Sequence, residues 1–461
     1  MRRYTTQDLQ DWITDSRRKP LIVRGARQVG KTWLVRKLAE ITGKQLIEIN
    51  LEQNPELRSS FNSNDPQKIL RDLELKMNLT INLNESILFL DEIQAFPELL
   101  AKLRWFYELL PALPVVVTGS LLDFTLAEHE FSMPVGRVSY LHIEPLSFEE
   151  FLLAKGLEKL VNFLQDFQLM ETISSGIHTK LMTLFYEYLV VGGLPYAVST
   201  WIETNSLLKV SRAHNELLLT YRDDFAKYAG KISTQHLEEI MTAIPKSLGQ
   251  KFVFTRVNND VKIATLKQAL NLLCKARLCY KIKATAANGL PLLAEVDDKR
   301  FKVGFIDVGL VSTFLGLRLD QLELIGDINL VNQGALSEQV VGQLLRCIEP
   351  SFIEPNNFYW HREEKSSNAE IDYILQHAHH IIPIEVKSGA TGSMKSLQLF
   401  MHLKKRKLAV RINSDLPSLV DVNAKSHNGE HIHYALLSIP FYLTEQLHRL
   451  LQQNNKCCFS A

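Results

Sequence analysis

Two hydrophobic periodicities alternate along the chain, and the switches between them divide it. Apolar runs of strand length stand at "LIVRG", "QLIEINLE", "SILFL" and "LPVVVTG", and helical stretches follow "LIVRG" and cover Pro66 to Met77. That alternation predicts an α/β unit with a parallel sheet over the first 145 residues. From Ser147 to Tyr228, Leu, Phe and Tyr recur every three or four positions, which predicts an all-helical segment. Further on, "VKIATLKQALNLLCKARLCYKIK" reads as a helix running into an alternating strand, and "ANGLP" marks a turn before another strand. "INLVNQGALSEQVVGQLLRCI" resumes the helical period, with Leu336, Val340, Val341, Leu344 and Leu345 on an inward face. "NNFYWHREEKSSNAEIDYILQHAHHIIPIEVKSG" gives two strands around a polar turn, and "SMKSLQLFMHLKKRK" gives a helix.

A chain of 461 residues exceeds a single core and divides into roughly three or four domains at about 150 residues each. The pattern places boundaries at 1–145, 146–232, 233–325, 326–440 and a C-terminal helix and tail at 441–461. Charged residues at 22% and apolar residues at 46% describe a soluble globular protein. No stretch has the apolar length of a membrane span, the N-terminus lacks the apolar core of a leader, and five cysteines show no CxxC spacing. A reducing cytoplasm is the expected location. The net charge is +1, so any affinity for nucleic acid must come from a local basic region. One exists between Lys246 and Lys302, where twelve basic residues stand against four acidic ones.

The first strand runs into chemistry. Gly25, Gly30, Lys31 and Thr32 match G-x-x-x-x-G-K-[ST] between a strand and a helix. Backbone N–H groups from Gly25, Ala26, Arg27, Gln28, Val29 and Gly30, with the start of the helix at Lys31, Thr32 and Trp33, can surround the phosphates of ATP. Lys31 reaches the β and γ phosphates and Thr32 ligates Mg2+. The buried run Ile87 to Leu90 delivers Asp91 for the magnesium shell and Glu92 as the group that orients or deprotonates the attacking water. The extra strand "QLIEINLE" points to the ATPase branch with a catalytic glutamate, and "LPVVVTGS" ends in Thr118 and Ser120, polar groups able to meet the water or the γ-phosphate.

These motifs resemble the AAA+ ATPases, in particular a widespread prokaryotic family in which such a core is joined to a conserved C-terminal region. The segments "MPVGRVSYLHIEPLSFEEFL" and "VVGGLPYAV" extend the resemblance. It implies Arg137 as an arginine finger, against which stands a surface ion pair, and a nucleotide contact from an α-helical lid at Pro195 in the "GGLP" turn. Thr118 stands where many relatives carry asparagine. A finger acting in trans implies a homo-oligomer such as a ring. The resemblance also implies a winged helix across 233–325, whose Lys267 and Lys275 would contact phosphates of DNA; protein packing is the other use of such a module.

In the last third, Glu338 on a helix, Asp372 on a strand, and Glu385 with Lys387 on the next strand resemble the PD-(D/E)XK nuclease order. A hairpin would bring Asp372 beside Glu385 so that both chelate Mg2+, with Glu338 completing the shell and Lys387 orienting the water. Lys395 and Gln398 are further groups for facing DNA. The adjacent Asp223 and Asp224 point apart on a helix and carry no metal role, and His377, His379 and His380 read as a solvated turn. The resulting expectation is a multidomain α/β protein: a P-loop AAA+ core with a parallel sheet, an α-helical lid, a winged helix and a C-terminal α/β restriction-endonuclease-like domain. It binds ATP and Mg2+, engages DNA and contacts no membrane. Two readings follow: an ATP-hydrolysing switch or motor whose nucleotide state controls DNA engagement and a Mg2+-dependent nuclease-like domain, and an ATP-gated DNA-binding, signalling or scaffold protein whose last domain recognises nucleic acid or a partner without cleaving.

Overall fold

Buried β-branched and Leu-rich runs become the strands of a five-stranded parallel sheet, in the order β2-β3-β4-β1-β5. The strands are β1 (Leu21–Gly25), β2 (Gln45–Asn50), β3 (Ser86–Asp91), β4 (Val115–Thr118) and β5 (Ser139–Ile143). This computed structural model describes residues 1–119, 134, 136–228, 232–316, 333–364, 367–388, 394–425 and 430–458. Helices α1 (Thr5–Thr14), α2 (Lys31–Thr42), α3 (Pro66–Met77) and α4 (Leu99–Leu109) accompany the sheet. Local signals set their ends: Asp65 accepts a hydrogen bond from Gln67 N ahead of α3, Pro66 occupies its first turn, and Asn78 closes it in the left-handed region. Ile22, Ile47, Ile49, Leu88, Leu90, Val115 and Val117 fill the core with side chains from α3 and α4.

The strand between the P-loop strand β1 and the Asp91 strand β3 is β4. The run "QLIEINLE" forms β2 instead, at the sheet edge beyond β3. Sequence position between the two motifs therefore differs from spatial position between their strands.

The residues form two compact units. The first comprises Met1–Glu144 with the short segments Lys275–Leu278 and Pro350–Glu354; the second comprises Pro145–Cys274, Cys279–Glu349 and Pro355–Ala461. Within the second, helices Phe148–Ala154, Glu158–Asp166, Ser175–Val191, Pro195–Thr204 and Leu207–Asp223 realise the expected helical stretch.

The same unit carries an eight-stranded sheet in the order β12-β13-β11-β10-β9-β8-β6-β7. Its strands are β6 (Cys279–Thr285), β7 (Val296–Phe305), β8 (Asn357–Glu364), β9 (Ser367–His377), β10 (His380–Val386), β11 (Leu408–Asn413), β12 (Ser418–Lys425) and β13 (His431–Pro440). Asn356 to Gly389 thus contains three strands rather than two. The expected wing hairpin, β6 and β7, is the edge of this sheet, because β6 pairs in parallel with β8 through Ile282 and Asn357. The boundary expected at 325 and 326 consequently falls inside one unit, among residues 317–332 that lie outside the described ones. Among the described residues no helix is long and apolar enough to cross a membrane.

Candidate functional sites

At the end of β1 the backbone turns through Gln28 at φ 66° and Gly30 at φ 95°, and α2 begins at Lys31. Gly30 suits this left-handed position, and Gly25 is required for closeness, since a Cβ there would lie 2.6 Å from the Ile143 carbonyl oxygen. Arg3, in front of α1, is buried and donates to the Val29 carbonyl at 3.1 Å and the Glu144 carbonyl at 2.7 Å, tying the loop to the end of β5. Nothing in the sequence pattern singled out Arg3, because a lone arginine near an N-terminus reads as solvated.

Lys31 folds back into the loop. Its Nζ donates to the carbonyls of Gly25 at 3.1 Å and Ala26 at 2.8 Å, and burial pushes its pKa down to about 8 against the opposing pull of Glu92 and Asp91. Thr32 Oγ1 donates to Asp91 Oδ2 at 3.0 Å, and Thr118 Oγ1 donates to the other oxygen, Asp91 Oδ1. Asp91 is thereby fixed by two of the three hydroxyls expected at this site, those of Thr32 and Thr118. Glu92 follows with φ 53°, a left-handed conformation that costs about 1 kcal/mol or more in a side-chain-bearing residue. Its carboxylate accepts a hydrogen bond from Gln94 Nε2, a partner two residues on that motif reading missed.

The Thr32 hydroxyl and Asp91 carboxylate form a hard-oxygen pair of the kind Mg2+ accepts when phosphate and water supply its other ligands. The residues present fit that ion. Trp33 is 39% exposed on α2, Gln28 is exposed and Arg27 is half-buried. Arg137 pairs with Glu108 at 3.2 Å, while Arg104 meets the same carboxylate at 3.0 Å. The surface ion pair considered for Arg137 is therefore present, and Ser120 lies outside the described residues.

In the second unit, the "GGLP" turn is packed into the protein. Gly193 N donates to Asp307 Oδ2 at 2.7 Å, and the Gly193 carbonyl accepts from Leu146 N at 2.7 Å. Asp307 also accepts from Gly309 N, Leu310 N and Gln343 Nε2, and burial raises its pKa to about 6. Pro195 opens the helix Pro195–Thr204 as a proline suited to a first turn.

The nuclease-like residues come together in the same sheet. β9 and β10 are antiparallel, with Tyr373 paired to Ile384, so Asp372 and Glu385 are the next residues along. Asp372 Oδ2 accepts from Val386 N at 2.8 Å, and Lys387 Nζ donates to Glu385 Oε1 at 2.6 Å. Glu338 lies on the helix Gln333–Cys347, held near β9 by the Tyr373 hydroxyl donating to the Glu338 carbonyl at 2.7 Å. Burial and the neighbouring Asp372 raise the pKa of Glu338 to about 8 and that of Glu385 to about 7.

Asp372 lies within electrostatic reach of both Glu338 and Glu385. Among the described residues no three His, Cys, Asp or Glu side chains form a group able to hold a metal ion. A lysine that the sequence reading assigned to a basic surface occupies the cluster instead. Lys302 Nζ pairs with Glu370, stands 3.2 Å from Glu338 Oε2 and 4.0 Å from Asp372 Oδ1, and its side chain is 1% exposed. Other members of the basic region are also paired with β8: Lys251 with Glu363 at 3.0 Å, and Arg300 with Glu363 at 3.3 Å. Lys246, Arg256, Lys262, Lys267 and Lys299 remain exposed, Lys275 is half-buried, and Lys395 is exposed beside half-buried Gln398. His377 is no solvated turn residue: it is buried, with its Nδ1 2.9 Å from His448 Nδ1.

Residues 17–152 match an AAA domain model, which places the P-loop, Asp91 and Glu92 inside a recognised ATPase domain. Residues 182–321 match a domain of unknown function (DUF8612), and residues 333–426 match another (DUF4143). Comparison with curated proteins gives no match. Among solved structures, the chain is similar to the Walker-type ATPase PABY2304 of Pyrococcus abyssi, with TM-score 0.43 and 15% identity over 68% of this chain and 95% of that chain. It is also similar to the ORC2 protein of Aeropyrum pernix in ADPNP-ADP complexes, with TM-score 0.33 and 12% identity over 61% and 88%. For Cdc6p of Pyrobaculum aerophilum the values are TM-score 0.23 and 12% identity over 68% and 94%.

Proposed function

We propose that this protein hydrolyses ATP at the P-loop of its first unit and that its nucleotide state controls engagement of nucleic acid by its second. The observation that carries the first half is the convergence of Lys31, Thr32, Asp91, Thr118 and Glu92 at the carboxyl ends of adjacent strands. Thr32 and Asp91 would hold Mg2+, which offsets the charge of the β and γ phosphates when bound. Lys31 exchanges its carbonyl partners for phosphate oxygens, and Glu92, once released by Gln94, orients the attacking water. Turnover of ATP should be lost in Lys31→Ala, whereas Glu92→Gln should retain ATP binding and lose turnover by at least about 100-fold. Wild-type turnover in Lys31→Ala would end this reading.

Arg137 serves as the finger of a neighbouring subunit in this reading. Its pairing with Glu108 is exposed and screened by solvent, so this pair holds the side chain only weakly. Mixing Arg137→Ala with Lys31→Ala should restore part of the turnover through hybrid sites. No restoration at any ratio would reject a finger acting in trans.

Nucleic-acid engagement is supported by the exposed part of the basic region, Arg256, Lys262, Lys267 and Lys299, which carries the sequence-independent phosphate attraction such binding needs. The hairpin that brings Asp372, Glu385 and Lys387 together supports a nuclease-like origin for the second unit's sheet. Lys302 within the carboxylate cluster favours the other reading considered from sequence, a domain that holds nucleic acid without cutting it.

A further inference from the structure

The acidic cluster of the second unit already contains a cation. Lys302 arrives from β7, the edge strand, where it pairs with Ile282 of β6, and its ammonium ends among carboxylates of β9 and of the helix Gln333–Cys347. A buried ammonium is costly unless its charge and its hydrogen-bond donors are matched; here Glu370 and Glu338 accept from it, and Asp372 adds negative charge 4.0 Å away. The Tyr359 ring adds a further favourable contact, with Lys302 Nζ 5.3 Å from its centroid.

Two of these carboxylates, Glu338 and Asp372, belong to the set a metal-dependent phosphodiesterase site would use. The third member, Glu385, has its own lysine in Lys387. A divalent ion would need the oxygens that face Lys302, and it would then sit within a few Å of a fixed positive charge in a poorly solvated place, where repulsion is strong. One atom, Glu385 Oε2, is buried without a hydrogen-bond partner, but a single oxygen does not supply the several protein donors a divalent ion requires.

We infer that Lys302 is the resident cation of this cluster, standing in place of a divalent metal, so that the second unit holds a nucleic acid strand without cleaving it. The inference rests on the nucleic-acid reading for its biological meaning, but its physical content is separate from it. The arrangement also differs from a metal site in kind. Lysine fixes the spacing of Glu338, Glu370 and Asp372 permanently, whereas a metal would make that spacing depend on ion concentration.

The test is a Mn2+ titration of nucleotide-free, chelator-treated full-length protein, followed by electron paramagnetic resonance of the free ion. Four proteins are compared: wild type, Asp372→Asn, Lys302→Met and the double variant Lys302→Met with Asp372→Asn. Wild type should show no Asp372-dependent Mn2+ site, Lys302→Met should gain one at least tenfold tighter than any wild-type binding, and the double variant should lose it again. An Mn2+ site in wild type that Asp372→Asn alone removes would overturn the inference, and this comparison decides it even where Lys302→Met fails to fold. Cleavage of plasmid or single-stranded DNA by wild type with Mn2+, abolished by Asp372→Asn, would overturn it equally. Absence of DNA binding in a metal-free filter assay, with no Mn2+ site in wild type, would leave Lys302 as the resident cation and reject only the nucleic-acid reading.

Discussion

The residue that most sharply couples environment to chemistry is Lys31. It is buried against the Gly25 and Ala26 carbonyls and its pKa is lowered to about 8, chiefly by desolvation. Only its charged form attracts phosphate. A group titrating near 8 is mostly protonated at pH 7 and mostly neutral at pH 9, so affinity for ATP should fall about tenfold between those values. Equilibrium binding of a fluorescent ATP analogue to Glu92→Gln measures this without turnover. Lys31→Arg, whose guanidinium stays charged throughout, should bind more weakly in absolute terms yet show a flatter profile. An identical tenfold fall in that variant would assign the titration to another group. At the same scale, the P-loop residues were legible because the motif is contiguous: the backbone turn, the lysine and the threonine hydroxyl lie within eight positions of one another. Lys302 was not legible. It precedes Glu338 and Asp372 by dozens of residues, and in a basic stretch a lysine reads as one more solvated charge.

At the scale of elements, the sequence pattern located most helices and strands because each buries its own periodic face. The order of the strands within the sheets was not legible in it. β4, rather than β2, stands between β1 and β3, and β6 joins β8 across a gap that begins at Thr285 and ends at Asn357. Pairings of that kind depend on which edge is left open after other elements pack, and no local propensity encodes them. The "GGLP" turn illustrates a second limit, since a Gly-Gly pair signals close approach without naming what approaches. Here a Cβ on Gly193 would lie 2.1 Å from the Leu146 carbonyl oxygen, backbone against backbone, while Asp307 satisfies the Gly193 N–H. Gly193→Ala should therefore destabilise the protein by roughly 2–3 kcal/mol and lower the melting temperature, with ATP affinity unchanged where the protein remains folded. Weakened ATP binding at an unchanged melting temperature would instead favour the nucleotide contact implied for this turn and Pro195.

For the whole molecule, the proposal that nucleotide state governs nucleic-acid engagement has a thermodynamic consequence that no single site has. If ATP changes the affinity for DNA by some factor, DNA must change the affinity for ATP by the same factor, because both quantities close one cycle. A coupling of 1–3 kcal/mol, the usual range, corresponds to about 5–150-fold. Glu92→Gln makes the cycle measurable, since it is expected to hold ATP without consuming it. DNA affinity should be determined for this variant in the nucleotide-free, ADP and ATP states, and ATP affinity with and without saturating DNA. Salt must be fixed across all of them, because contacts from residues such as Lys262 and Lys267 weaken steeply as counterions are added. Equal factors in the two directions, both different from one, are the expected result. DNA binding that is the same in every nucleotide state would remove the control relation while leaving the ATPase domain intact. Binding that responds to ATP in Glu92→Gln but also in Lys31→Ala would show the response to originate outside the P-loop. The cycle thus separates an ATPase that switches a nucleic-acid-holding unit from an ATPase that merely shares a chain with one.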